Sequence, residues 1–107
     1  MARLKIAFRG AETVVALAGE RTTVGRSNRC TITLPDPALA DVHFRIDRGD
    51  DGGFRLRDDG TGAGTRVNGR PVYATALGHG DVIEAGALLC VFLEGEDAPA
   101  AALPAKR

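Results

Sequence analysis

The chain holds only two histidines, two cysteines, one serine and five aromatic residues among 107, and no tryptophan. Each scarcity removes a class of chemistry. His43 and His79 stand alone, without a local acidic cluster, so their spacing offers no metal site. Cys30 and Cys90 form no zinc spacing and read as small buried hydrophobes, with a disulfide between them left open. Ser27 lacks the strand-to-helix elbow of a nucleophile and is read as bonding within its own loop. His43 is read in the same way, as a structural residue bonding loop backbone. The expectation is therefore a protein that is not an enzyme, with no cofactor and no metal. No run is long enough to span a membrane, and Met1 to Ile6 lack the continuous apolar stretch of a signal peptide. A cytoplasmic location follows as the default.

Charge of one sign is lacking too. Fourteen basic and fourteen acidic residues cancel. No bulk pull toward nucleic acid or membrane is expected. Residues 1–57 carry ten basic and seven acidic side chains and the remainder four and seven, a mild asymmetry. Gly60, Gly62 and Gly64 have neither the Walker nor the dinucleotide-binding spacing, which argues against a nucleotide site. No residue pattern specifies a dimer, although the neutral surface would not repel a second copy.

What is present is a period of two. Leu4, Ile6 and Phe8 alternate with Lys5, Ala7 and Arg9; Phe44 and Ile46 with Arg45 and Asp47; Phe54 and Leu56 with Arg55 and Arg57. Such alternation marks half-buried strands. Further runs are 13–17, 22–24, 31–34, 70–73 and 81–84, and the apolar stretch from Ala87 to Leu93 suits a central strand. Turn residues punctuate them: Gly10-Ala11, Asp50 to Gly53, Gly78 to Gly80 and Ala85-Gly86, with Asp58 and Asp59 read as turn residues leading into a glycine loop. Asn68-Gly69 between two such runs is a two-residue hairpin signal. Many short strands at this spacing predict an all-β sandwich. Residues 1–94 are read as the domain, and 95–107, rich in Ala and Pro, as a flexible tail or linker.

Several dispersed motifs occur in order. They are Gly25-Arg26-Ser27 after a strand, Val42-His43-Phe44-Arg45-Ile46, then Gly60-Thr61, Gly64-Thr65, Val67-Asn68-Gly69 and Gly80-Asp81-Val82-Ile83. Together they resemble the forkhead-associated (FHA) domain family from about residue 3 to 94. The resemblance implies a SMAD/FHA-like β-sandwich of roughly eleven mostly antiparallel strands. It also implies a docking module for protein partners in signalling or in secretion and assembly complexes, one that typically binds phosphothreonine on apical loops.

The same resemblance assigns candidate residues. A phosphothreonine carries nearly two negative charges and three acceptor oxygens, so its pocket needs a cation and several aimed donors. Arg26 takes the place of the family's phosphate-contacting arginine, while Gly25, His43, Gly64 and Thr65 take its structural loop positions. The family's Ser-x-x-His reads Ala40-Asp41-Val42-His43 here. Its Ser-Thr-Asn-Gly-Thr reads Thr61-Gly62-Ala63-Gly64-Thr65. Donors at Ala40, Gly62 and Ala63 are thus gone, and Asp41 brings a carboxylate beside the anion. Losing these contacts costs about 3–6 kcal/mol in sum. The expectation is a docking surface built from Arg26, Ser27, Asp41, Thr61, Gly62, Ala63, Arg66 and Asn68, with its phosphothreonine grip degraded. The alternative is residual phosphopeptide binding through Arg26 and the backbone amides of residues 62–64.

Overall fold

The structure, a computed structural model, describes residues 2–59 and 64–95. The Ala/Pro-rich stretch expected to be a tail lies outside the described residues, apart from its first position, Gly95. Eleven strands follow one another: β1 (Ala2–Phe8), β2 (Ala11–Ala16), β3 (Arg21–Gly25), β4 (Ile32–Thr33), β5 (Phe44–Arg48), β6 (Phe54–Asp58), β7 (Thr65–Val67), β8 (Arg70–Val72), β9 (Ala74–Leu77), β10 (Val82–Ala85) and β11 (Leu88–Glu94). They form two sheets, one ordered β2-β1-β11-β10-β7-β8 and the other β4-β3-β5-β6-β9. Every recorded pairing is antiparallel except β3 with β4. The alternation had forecast this class, and the sheets carry it out: Leu4, Ile6, Phe44, Ile46, Phe54 and Leu56 all point into the space between them.

β11 is the central strand its apolar run implied, pairing with β1 on one side and β10 on the other. Its inward residues Leu88, Cys90 and Phe92 are buried, and the Phe92 ring meets Phe54 of the opposite sheet at 5.5 Å between centroids. That tilted pair joins the layers by shape as well as by area. Asn68 and Gly69 both have positive φ, 54° and 82°, the backbone a two-residue turn demands. The Asn68 amide is spent in the same turn, donating to Asp81 Oδ1 (3.0 Å) and accepting the Val82 N–H (2.9 Å).

Three readings change. Ala74–Leu77 forms an edge strand on β6 that the sequence did not announce, because only Leu77 of its four residues is buried. Asp58 is not a turn residue: it closes β6, is 6 % exposed, and accepts the Thr65 hydroxyl at 2.7 Å. The disulfide left open does not form; both thiols are free and buried. Burial pushes the Cys90 thiol up to about 12. Cys30 donates its S–H to the Asp41 carbonyl at 3.1 Å.

Asp36 shows how the sandwich holds its loops. The residue is buried, and its carboxylate accepts the Ala87 N–H at 2.8 Å and the Ala38 N–H at 2.9 Å, tying the loop after β4 to the β10–β11 turn. The Ala87 and Ala38 hydrogen bonds hold its carboxyl below the ordinary value of 3.8. A group depressed in the folded state contributes stability that is present in full above the ordinary value. That contribution drains away as pH falls through the lower, folded value. In urea titrations from pH 7 down to pH 3 and below, the stability gap between the parent and Asp36→Asn should narrow at the acid end. A gap that stays constant across that range would deny Asp36 the role.

Candidate functional site

β3 ends at Gly25, β5 begins just after His43, β6 ends at Asp58, and β10 turns into β11 beyond Ala85, so four connections gather at one end of the sandwich. Backbone hydrogen bonds stitch them together. Arg26 N–H donates to the Ala40 carbonyl and Ser27 N–H to the Asp41 carbonyl, both at 3.0 Å. His43 N–H donates to Val24 O at 2.8 Å, and Asp59 N–H to His43 O at 2.9 Å. Two loops therefore run side by side with no side chain between them.

Gly25 makes that approach possible. A Cβ at this position would collide with the Asp41 carbonyl oxygen and lie 2.8 Å from its carbon and 2.9 Å from Ala40 O. The atoms in the way are backbone and cannot swing aside. Gly25→Ala should therefore force the β3–β4 loop off residues 40–41 and cost about 2–4 kcal/mol of stability. Denaturant unfolding reads the loss, and amide exchange at Arg26 and Ser27 should quicken with it. Unchanged stability and unchanged exchange would sink the close-approach argument.

His43 is the inner pin of the apex. It is fully buried, stands just before β5, and both ring nitrogens are occupied by backbone. Nδ1 takes the Ala40 N–H at 3.0 Å, and Nε2 lies 2.8 Å from the Gly64 carbonyl. An amide N–H can only donate, so Nδ1 is the acceptor and Nε2 carries the proton given to Gly64. One imidazole thus joins the segment before it to the far side of the glycine loop. It has no free nitrogen with which to activate Ser27. The Ser27 hydroxyl oxygen accepts the Arg29 N–H at 3.1 Å within its own loop. His79, in the turn at the opposite end, accepts the Glu94 N–H at 3.0 Å. Among the described residues no group of three or more His, Cys, Asp or Glu is placed to hold a metal.

On the outer surface of the apex, the Arg26 guanidinium lies 3.5 Å from the Asp41 carboxylate, with both side chains well exposed. Arg26, the residue that the family resemblance puts at the phosphate contact, is therefore already faced by a carboxylate of its own chain. Exposed pairs of this kind are worth about 0.2–1 kcal/mol, so the pairing is loose, but any incoming anion must compete with it. Ala40 beside it presents only a methyl group. Gly60, Thr61, Gly62 and Ala63 lie outside the described residues. Gly64 and Thr65, which bond to His43 and Asp58, anchor the loop's far end.

Arg66 and Asn68 do not join this cluster. Arg66 is exposed on the six-stranded sheet, opposite Glu84, and lines an open depression of about 370 Å³ with Gly64, Pro71 and Gly86. Asn68 is bonded to Asp81 and Val82, at the end of β10 away from the apical turn.

The FHA domain model matches residues 22–86, which includes Gly25, Arg26, Asp41, His43, Gly64 and Thr65. The chain belongs to the FHA domain family. It is 36 % identical over 74 residues to the oxoglutarate dehydrogenase inhibitor of Corynebacterium diphtheriae, covering 69 % of this chain and 51 % of that protein. It thus spans about half the length of that curated relative. Among solved structures it is similar to the FhaA FHA domain complexed with the intracellular domain of Rv3910. That likeness has a TM-score of 0.78 at 27 % identity, over 86 % of this chain and 99 % of the other. An FHA domain studied for phosphothreonine-dependent interactions gives the same TM-score, 0.78, at 25 % identity, over 88 % of this chain and 98 % of that one.

With the family established, its structural positions have physical reasons in this FHA domain. Gly25 permits the loop-on-loop approach, His43 bridges two backbone groups, and the Thr65 hydroxyl donates a hydrogen bond to Asp58. Sequence reasoning missed Asp36 and Asp58, since each finds its partner only once the strands are paired. Asp58 stood in a run read as a turn, and Asp36 gave no local signal of its role.

Proposed function

We propose that this FHA domain is a cytoplasmic docking module, not an enzyme, and that it holds a protein partner at its apex with little dependence on phosphothreonine. The observation that carries the reading is the Arg26–Asp41 contact at 3.5 Å. A pocket for a dianion presents unpaired cations and converging donors. This apex pairs its cation internally, and the positions that supply hydroxyl and amide donors in the family hold Ala40, Gly62 and Ala63. The surface left is of mixed sign: Arg26, Ser27 and Asp41 at the centre, and Arg66 toward the depression on the flank. Such a surface suits a partner offering both carboxylates and cations. Asn68 contributes by shaping the β7–β8 hairpin.

Calorimetric titration with matched phosphothreonine and unphosphorylated peptide libraries tests this. The expected result is at most a weak preference for the phosphorylated set. A strong preference abolished by Arg26→Ala would establish the other reading, in which Arg26 and the loop amides still grip phosphate.

A further inference from the structure

The outer face of the five-stranded sheet is far more basic than a neutral chain requires. Side chains alternate across a strand, so Arg21 on β3, Arg45 and Asp47 on β5, and Arg55 and Arg57 on β6 share the solvent face. The register sets them in rows: Arg45 opposite Arg57, and Asp47 between Arg21 and Arg55. Like charges directly opposed on a sheet are unfavourable, so Arg45 facing Arg57 is not a choice made for stability. Asp47 is already shared, at 2.9 Å from Arg21 and 3.2 Å from Arg45. Arg55 and Arg57 make no ion pair among the described residues. On the next strand, β9, their register partners are Ala76 and Ala74, too short to cover either guanidinium. Arg57 is held out over the Tyr73 ring, 5.5 Å from its centroid, with Nη2 3.3 Å from the phenol oxygen.

We propose that this face is a second docking surface, for an acidic segment or patch of a protein partner, distinct from the apical loops. Guanidinium forks match carboxylates two bonds at a time, and the Tyr73 platform orders one of them in advance. A nucleic acid fits less well. Asp47 sits in the middle of the rows, and the single exposed ring beside them, Tyr73, is already engaged by Arg57 and gives no row of aromatics on which successive bases could stack. The surface does not depend on how the apex treats phosphate.

The test is an amide chemical-shift titration of the full chain with a capped, unphosphorylated hexaglutamate peptide, at low and at physiological salt. Saturable shifts centred on β5, β6 and β9 are expected, weakened about tenfold in Arg55→Glu/Arg57→Glu and unchanged in Arg26→Ala. Should the reversed variant misfold, Arg55→Gln/Arg57→Gln carries the comparison. Shifts confined to the apical loops, or no saturation, would overturn the proposal. So would equal or tighter binding of a short DNA duplex to the same face. Because Arg26→Ala reports on the apex alone, a failure there leaves this surface separately judged.

Discussion

A chain carrying Ala40→Ser, Asp41→Asn, Gly62→Thr and Ala63→Asn should bind a phosphothreonine peptide about 10² to 10⁴ times more tightly than the parent. The three restored contacts to a charged group together contribute about 3–6 kcal/mol, and about 1.4 kcal/mol is tenfold in affinity. Asp41→Asn acts differently from the other three. It adds no phosphate contact that the family uses; it releases Arg26, whose guanidinium now lies 3.5 Å from the carboxylate, and removes a repelling charge. Alone it should tighten binding by about threefold to tenfold, with the gain shrinking at high salt because both groups are exposed. The scaffold should tolerate the changes at residues 40 and 41. Ala40 is bonded through its backbone, by N–H to His43 and by its carbonyl to Arg26, and Asp41 likewise through its carbonyl. Calorimetry of the parent and variants with one peptide decides the matter. A quadruple variant no tighter than the parent would mean that Arg26 does not stand where a phosphate arrives.

What the sequence revealed and what it hid divide along sequence distance. Alternation in β1, β5 and β6 is a local signal, and it placed Leu4, Phe44 and Leu56 in the core without error. Asn68-Gly69 is as local as a signal can be, and its two positive φ values are there. β9 escaped because an edge strand facing a neighbour on one side only needs little apolar content, and Ala-Thr-Ala-Leu supplies little. Asp36 and Ala87 are 51 residues apart, so nothing near either announces their bond. The apex was half legible. Motif order gave Gly25, Arg26 and His43 their places, and the loss of donors at Ala40 is a fact of sequence. That Asp41 would turn toward Arg26, rather than merely stand beside an incoming phosphate, depends on two loops meeting. The Arg-rich rows were foreshadowed only by the excess of basic residues in the first half of the chain, a signal too diffuse to locate a surface.

His43→Ala should be the most destabilising single change at the apex, costing about 3–5 kcal/mol, a third or more of the stability typical of a small domain. The imidazole is fully buried and closes two backbone bonds at once, to Ala40 N–H and to the Gly64 carbonyl. Deleting it strands a donor and an acceptor and opens a hole where the ring lay. Graded variants separate the two bonds. Asn can offer its amide oxygen near the Nδ1 position, keeping the Ala40 bond, while Gln can reach out with an N–H toward Gly64. Both should fall between the parent and Ala in denaturant unfolding. Amide exchange at Ala40 should stay slow in His43→Asn and quicken in His43→Gln and His43→Ala. Through Ala40 the loss spreads to the surface, because the Ala40 and Asp41 carbonyls hold the Arg26 and Ser27 amides. Partner affinity should therefore drop with apical order even at temperatures where the sandwich stays folded. A His43→Ala protein within about 1 kcal/mol of the parent would show that the loops hold one another without the ring.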